Sequence, residues 1–227
     1  MKTAAIIGCG WLGVQMARAL IQDGWRVSGT TTTPAKTVVL LEAGIDPVLY
    51  RLGDPDPPQA DLVIVNVPPS RTPDYVRNLD STIRYLPSTT HLIFISTTSV
   101  YAARPDVFPT GSVVPGRPEP ADETTTSRHS PVPIAELIRA EGVFWGGRAH
   151  RSAILRCGAL TGPGRDITRL YAGREVPDAD KPANVSPSAL VIDRMRGIVA
   201  GNGWGVVVNA VIEPRPTRQD AYGSGRA

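Results

Sequence analysis

The fold class this chain predicts is α/β, a doubly wound parallel sheet, and three observations predict it. Apolar runs of strand length alternate with segments whose apolar residues recur at helical spacing. Several runs, such as Leu62-Val-Ile-Val65, are continuously apolar, as strands covered on both faces are. The first run ends in a glycine turn, Gly8-Cys-Gly-Trp-Leu-Gly13, that leads straight into a helical pattern.

In order, Thr3 to Ile7 reads as the first strand, and Leu12, Met16 and Leu20 mark the buried stripe of the first helix, which Gly24 ends. Arg26–Thr30 is the second strand. A short helix is expected within Pro34–Ala43, closed by Gly44, and Pro47–Tyr50 is the third strand. Asp61–Asn66 is the fourth strand, stiffened at its end by Val67, Pro68 and Pro69. A helix within Asp74–Leu86 leads to a fifth parallel strand, His91–Ser96. Two irregular stretches, about 104–133 and 160–187, are too long for ordinary connectors and are expected to cover a site. Between and after them come a helix at Glu136–Trp145, a strand at Ser152–Cys157, a helix near Ala189–Ala200 and a strand near Gly205–Ala210. The tail from Gly223 is expected to fray. All 227 residues are expected to form one domain.

Hydrophobic residues make up 41% and charged residues 20% of the chain, the balance of a soluble globular protein, and no segment approaches a membrane span. The N-terminus lacks the pattern of a secretory signal, so the cytoplasm is the expected location. Cys9 and Cys157 lie in strand or strand-end contexts and are expected to be reduced thiols. No metal-ligand spacing links them with His91, His129 and His150. The net charge of +3 is spread along the chain, so a nucleic-acid-binding face is not expected.

The glycine turn predicts a dinucleotide site. Gly8 permits the sharp exit from the strand, Gly10 lets a pyrophosphate approach the backbone, and Gly13 lets helix and strand pack closely. Amides at the helix start, around Trp11 and Leu12, then face the phosphates. An NAD site normally places Asp or Glu after the second strand, whereas this chain has Thr30-Thr31-Thr32-Thr33 and then Lys36. Hydroxyls and one lysine suit a 2′-phosphate, so NADP is favoured over NAD. Asp54 is placed to approach the adenine edge. Asn66, Val67, Pro68 and Ser96, at the carboxyl ends of the fourth and fifth strands, complete the expected cofactor side.

With Ser96-Thr-Thr-Ser-Val-Tyr101, the glycine turn, Gly29-Thr-Thr31, Asp122-Glu123, Leu155-Arg156 and Gly162-Pro-Gly-Arg165, the chain resembles the NAD-dependent epimerase/dehydratase family. Within it, the chain looks most like the atypical, extended short-chain dehydrogenase/reductases, from the first strand to about Tyr222. The resemblance implies a Rossmann fold, a homodimer and a catalytic Thr97. Three departures stand out. Aligning the family's helix glutamate with Glu141 puts Pro133 and Leu137 where its Tyr-x-x-x-Lys pair stands, and neither can move a proton. Asn184-Val-Ser-Pro-Ser188 keeps only the asparagine of the family's pattern. The C-terminal substrate lobe is reduced.

For a reductase the protein must orient the substrate and deliver a proton. Thr97 can hold a carbonyl, with Tyr101, His129, Glu123 or a bound water as acid. Tyr101 is equally read as packing beside the cleft, and His129 as a solvated loop residue. Arg165, Arg169 and Arg174 can clamp a substrate anion, or simply form a solvated face, and Asn184 is expected to touch substrate. The leading reading is an NADP-dependent reductase of a C=O or C=N bond in a small metabolite. The alternatives are a non-redox epimerase/dehydratase-like enzyme, or a dinucleotide-binding sensor or partner protein without catalysis.

Overall fold

The computed structural model describes residues 1–103, 113–115, 134–146, 148–201 and 203–223. Its centre is an eight-stranded sheet in the order β3-β2-β1-β4-β5-β7-β10-β6. The strands are β1 Thr3–Ile7, β2 Arg26–Thr31, β3 Asp46–Leu49, β4 Leu62–Val65, β5 His91–Thr97, β6 Val113–Pro115, β7 Ser152–Cys157 and β10 Val206–Ala210. Seven are parallel, and only β6 runs antiparallel, against β10.

The strand alternation sorts neighbouring residues onto opposite faces. Ile6 and Ile64 join Leu12, Met16 and Leu20 of α1 (Trp11–Gln22) and Met195 of α5 (Ser188–Ala200) on one side. Ile7 and Val65 join Tyr75 and Leu79 of α3 (Tyr75–Tyr85) and Phe144 of α4 (Ile134–Trp145) on the other. Phe94 and Phe144 stack with ring centroids 4.6 Å apart. Two buried layers of this kind are why the strand runs are continuously apolar.

The chain leaves β1 for β2 on one flank and returns to β4 on the other, so the order reverses between β1 and β4. A crevice at the carboxyl ends of the strands is expected at that point. Gly8, after β1, and Asn66, after β4, stand at that point.

Four short elements depart from the sequence expectation. Val113–Pro115, inside the stretch expected to be irregular, adds the edge strand β6. The region after β7 contains a parallel pair, β8 Ala159–Thr161 and β9 Val185–Pro187, and the chain closes with α6, Arg218–Tyr222. Segments of three to five residues carry too little periodicity to be read. The second helix, α2, spans Lys36–Glu42, two residues inside the expected start at Pro34. Residues 224–227 lie outside the described residues. Among the described residues, no helix is long and apolar enough to cross a membrane.

Candidate functional site

The glycine turn is shaped mainly by its backbone. Gly8 has φ +85°, and a methyl group built on it would sit 2.7 Å from the Asn66 carbonyl oxygen, so any other residue would be both strained and crowded. Its N–H donates to Thr30 Oγ1 at 2.9 Å, and the Cys9 N–H donates to the Thr30 carbonyl at 3.0 Å. A methyl on Gly13 would lie 3.0 Å from the Gly8 carbonyl oxygen and 3.3 Å from Ile6, the close helix–strand approach expected of this position. On Gly10 it would meet nothing within 4 Å. The middle glycine therefore opens onto free space, and that space lies at the start of α1. The helix has no side-chain cap at Gly10 and no acidic residue in its first turn. Trp11, Leu12 and Gly13 thus present the positive end of a 12-residue helix to the crevice.

Asn66 closes the opposite wall. Its N–H donates to the Ile7 carbonyl at 2.8 Å and its Nδ2 to the Gly8 carbonyl at 3.1 Å, which ties the end of β4 to the turn. The Val67 carbonyl accepts from Tyr75 Oη at 2.9 Å, and Pro68 is exposed beside it. After β2, Thr31 Oγ1 accepts from the Thr33 N–H at 3.1 Å, while Thr32 and Lys36 are exposed. Asp54, also exposed, accepts from the Arg51 N–H at 3.1 Å and so shapes its own turn. Cys9 is buried, and burial pushes its thiol up to about 12, which makes it unreactive near neutral pH.

Beyond β5 the site is built from side chains. Ser96, Arg156 and Asn209 stand in register on β5, β7 and β10. Glu141 of α4 comes down on this row. It accepts from Arg156 Nε at 3.0 Å and Nη2 at 2.6 Å, and from Ser96 Oγ at 2.6 Å. Both charged side chains are buried, Glu141 fully and Arg156 to 7% exposure. Burial disfavours the Arg156 charge, but the bonds and charge of Glu141 outweigh it and hold its pKa above the ordinary value. The guanidinium also lies 4.7 Å from the centroid of the Tyr101 ring, and Tyr101 Oη donates to Asn209 Oδ1 at 3.0 Å. Ser96, expected at the cofactor, therefore gives its hydroxyl to Glu141. Tyr101, expected as an acid, gives its hydroxyl to Asn209.

Thr97 sits one residue nearer the cleft, half-buried. Its Oγ1 lies 3.1 Å from Ser99 Oγ and accepts from the Ser99 N–H at 3.1 Å. Asn184 bonds the next residue, donating through Nδ2 to Thr98 Oγ1 at 3.3 Å. Arg165 is exposed, with its guanidinium 5.2 Å from the Trp11 ring centroid, and Arg169 is exposed on the turn Ile167–Tyr171. Leu137 is buried against Val100, whereas His129, Glu123 and Pro133 lie outside the described residues. Among the described residues no cluster of His, Cys, Asp or Glu could hold a metal ion.

The fold thus brings the glycine turn, Asn66, Thr97 and Asn184 to one end of the sheet. The sequence reading missed the roles of Glu141, Arg156 and Asn209. The signal for two of them was a charged or amide residue near the end of an otherwise apolar strand, which burial obliges to find a partner.

Comparison with known proteins agrees with this geometry. Residues 3–105 match the NAD binding domain of 6-phosphogluconate dehydrogenase. Protein YeeZ of Escherichia coli (strain K12) is 28% identical over an alignment of 242 positions, gaps included, that covers 98% of this chain and 82% of YeeZ. Among solved structures, a protein described as an NAD-dependent epimerase/dehydratase from Methylobacillus flagellatus superposes with a TM-score of 0.66 at 21% identity, covering 97% of this chain and 79% of that one. The dTDP-glucose 4,6-dehydratase of Bacillus anthracis, solved in complex with NAD, gives 0.68 at 13% identity, covering 97% and 78%. The fold is shared with these structures and has the Rossmann-type sheet expected from the sequence.

Proposed function

We propose that this chain is a nicotinamide-dinucleotide-dependent reductase of the epimerase/dehydratase type, acting on a C=O or C=N bond of a small metabolite. The observation that carries the reading is the glycine turn. Its middle glycine opens onto free space at the uncapped start of α1, at the point where the strand order reverses. The residues present fit a dinucleotide. The amides of Trp11, Leu12 and Gly13 would receive the pyrophosphate, and Asn66, Val67 and Pro68 would flank the cofactor across the crevice. NADP is the favoured form, because Thr31, Thr32 and the exposed Lys36 follow β2 with no carboxylate to repel a 2′-phosphate.

A bound reduced nicotinamide supplies hydride. The chain's own task is then to hold the acceptor and balance its charge. Thr97 Oγ is the group for the substrate oxygen or nitrogen. Tyr101, its ring fixed by Arg156, is the candidate source of the proton. The positions aligned with the family's Tyr-Lys pair are Pro133 and Leu137, so an imine that arrives already protonated is the acceptor that asks least of this site. It needs hydride alone, whereas a ketone also needs a proton.

Titration of the purified protein with NADPH, NADH, NADP+ and NAD+ in a calorimeter tests cofactor use, and preferential binding of the phosphorylated forms is expected. A screen of ketones against cyclic and acyclic imines then tests the reaction, with NADPH consumption as the readout. Turnover of ketones without imines would overturn the imine preference. A second reading, dinucleotide binding without turnover, is favoured by one observation, the engagement of the Tyr101 hydroxyl by Asn209. It predicts binding with no consumption against any acceptor.

A further inference from the structure

The sequence offers Arg165 as a clamp for a substrate anion, but the structure ties it to the glycine turn. Residues Gly162–Arg165 form a tight turn closed by two backbone bonds, Gly162 N–H to the Arg165 carbonyl at 3.1 Å and Arg165 N–H to the Gly162 carbonyl at 2.9 Å. Thr161 Oγ1 adds a third bond to the Arg165 carbonyl at 3.0 Å. This turn is fastened to Trp11, whose Nε1 donates to the Pro163 carbonyl at 2.8 Å. The Arg165 guanidinium lies over the same indole, 5.2 Å from its centroid.

Trp11 is the first residue of α1 and directly follows Gly10, the glycine whose side opens onto free space. The arginine is therefore stationed beside the turn that would receive a pyrophosphate. A guanidinium held over an aromatic ring by its charge makes no conventional hydrogen bond to it, so its N–H groups stay available for phosphate oxygens. Among the described residues, Arg165 pairs with no carboxylate. The charge balance points the same way. A helix N-terminus supplies the equivalent of about half a positive charge, which falls short of a pyrophosphate, and a held guanidinium adds a whole one.

We propose that Arg165, held over the Trp11 ring, is a clamp for the pyrophosphate of the bound dinucleotide and not a substrate-binding residue. The inference rests on the dinucleotide-binding reading above. By fastening the Gly162–Arg165 turn to the glycine turn, Trp11 makes a segment far away in sequence part of the cofactor site.

The test is calorimetric titration of NADPH into the wild type and the variants Arg165→Gln, Arg165→Lys and Trp11→Phe, at low and high KCl, with adenosine as a phosphate-free probe. Arg165→Gln is expected to weaken NADPH binding about tenfold or more, the effect of losing a charge-assisted contact. It should also flatten the salt dependence of binding. Arg165→Lys should recover part of the loss by restoring the charge, and Trp11→Phe should weaken binding less than Arg165→Gln. Adenosine affinity should be the same in all four proteins. If the wild type binds NADPH and Arg165→Gln binds it with equal affinity and salt dependence, the clamp is overturned while the cofactor reading stands. If the wild type binds no dinucleotide at all, both fall together.

Discussion

The two halves of the cleft are built on different principles. Around β1, β2 and β4 the walls are mostly backbone: an unhindered glycine, an uncapped helix start, and carbonyls and amides held by Thr30 and Asn66. Around β5, β7 and β10 they are side chains bonded largely to one another, with Glu141 joining Ser96 to Arg156 and Arg156 leading through Tyr101 to Asn209, whose buried Nδ2 is left without a hydrogen-bond partner. The first half keeps donors available for a ligand. The second spends most of them on itself, and so fixes the shape of the region where a substrate would lie. The difference teaches that binding and rigidity are separable in this molecule, and substitutions should separate them.

The largest effect is expected in the side-chain half. Glu141→Gln leaves the Arg156 charge buried without its partner and should cost about 3–5 kcal/mol of folding stability, measured by urea denaturation. Adding Arg156→Met should return most of that loss, because an apolar replacement removes the uncompensated charge. A loss under about 1 kcal/mol for Glu141→Gln would break the comparison at its root.

In the backbone half, Gly8→Ala must hold φ near +85° with its methyl against the Asn66 carbonyl, and should cost about 1–3 kcal/mol as well as dinucleotide binding. Gly10→Ala is the sharper probe. Its methyl meets nothing, so thermal stability should change by less than about 0.5 kcal/mol. Dinucleotide binding should nevertheless weaken, since the methyl enters the space kept for phosphate. Unchanged affinity for NADPH in Gly10→Ala would contradict the assignment of that space.

Tyr101→Phe keeps the ring beneath Arg156 and removes the hydroxyl with its bond to Asn209, a loss of about 0.5–1.5 kcal/mol. If Tyr101 also delivers a proton, turnover should fall far more than stability does. Equal, small changes in both would leave the tyrosine a purely structural part of its half.

The smallest expected effect lies at the opposite end of the sheet, where His91 lies at the start of β5 with its ring 4.3 Å from that of Trp204. Burial, and then the charge of Arg151, hold its pKa below the ordinary value of 6.5. The folded protein binds this proton less readily than the unfolded chain, so stability should decline as pH falls through and below 6.5. His91→Gln should flatten that slope in denaturation curves taken across the range, and an unchanged slope would assign it to other groups.

Much of the sheet was legible in the residues. Strands β1, β4, β5, β7 and β10 each carry a run of apolar or β-branched residues long enough to declare itself, β2 follows the Gly24 stop, and α1, α3, α4 and α5 show their periodicity. Short β6, β8, β9 and α6 do not, because three to five residues sample barely one period. The shape of the glycine turn was legible for a similar reason: its geometry is local, with the positive φ of Gly8 and the close helix–strand approach at Gly13 both set within a few residues. Asn66 could be placed because the end of a parallel strand at a switch point is a position the topology dictates.

By itself, then, the sequence determined the parallel sheet and its glycine turn, since both follow from periodicity and backbone conformation within one stretch of chain. Tertiary structure alone decided what the polar side chains beyond β5 do. Ser96, Glu141, Arg156 and Asn209 come from four separate elements, as do Trp11 and Arg165 from two. Their hydrogen bonds, stacking and buried charge depend on distances across the sheet that no linear spacing encodes, so their roles appear only once the strands are side by side.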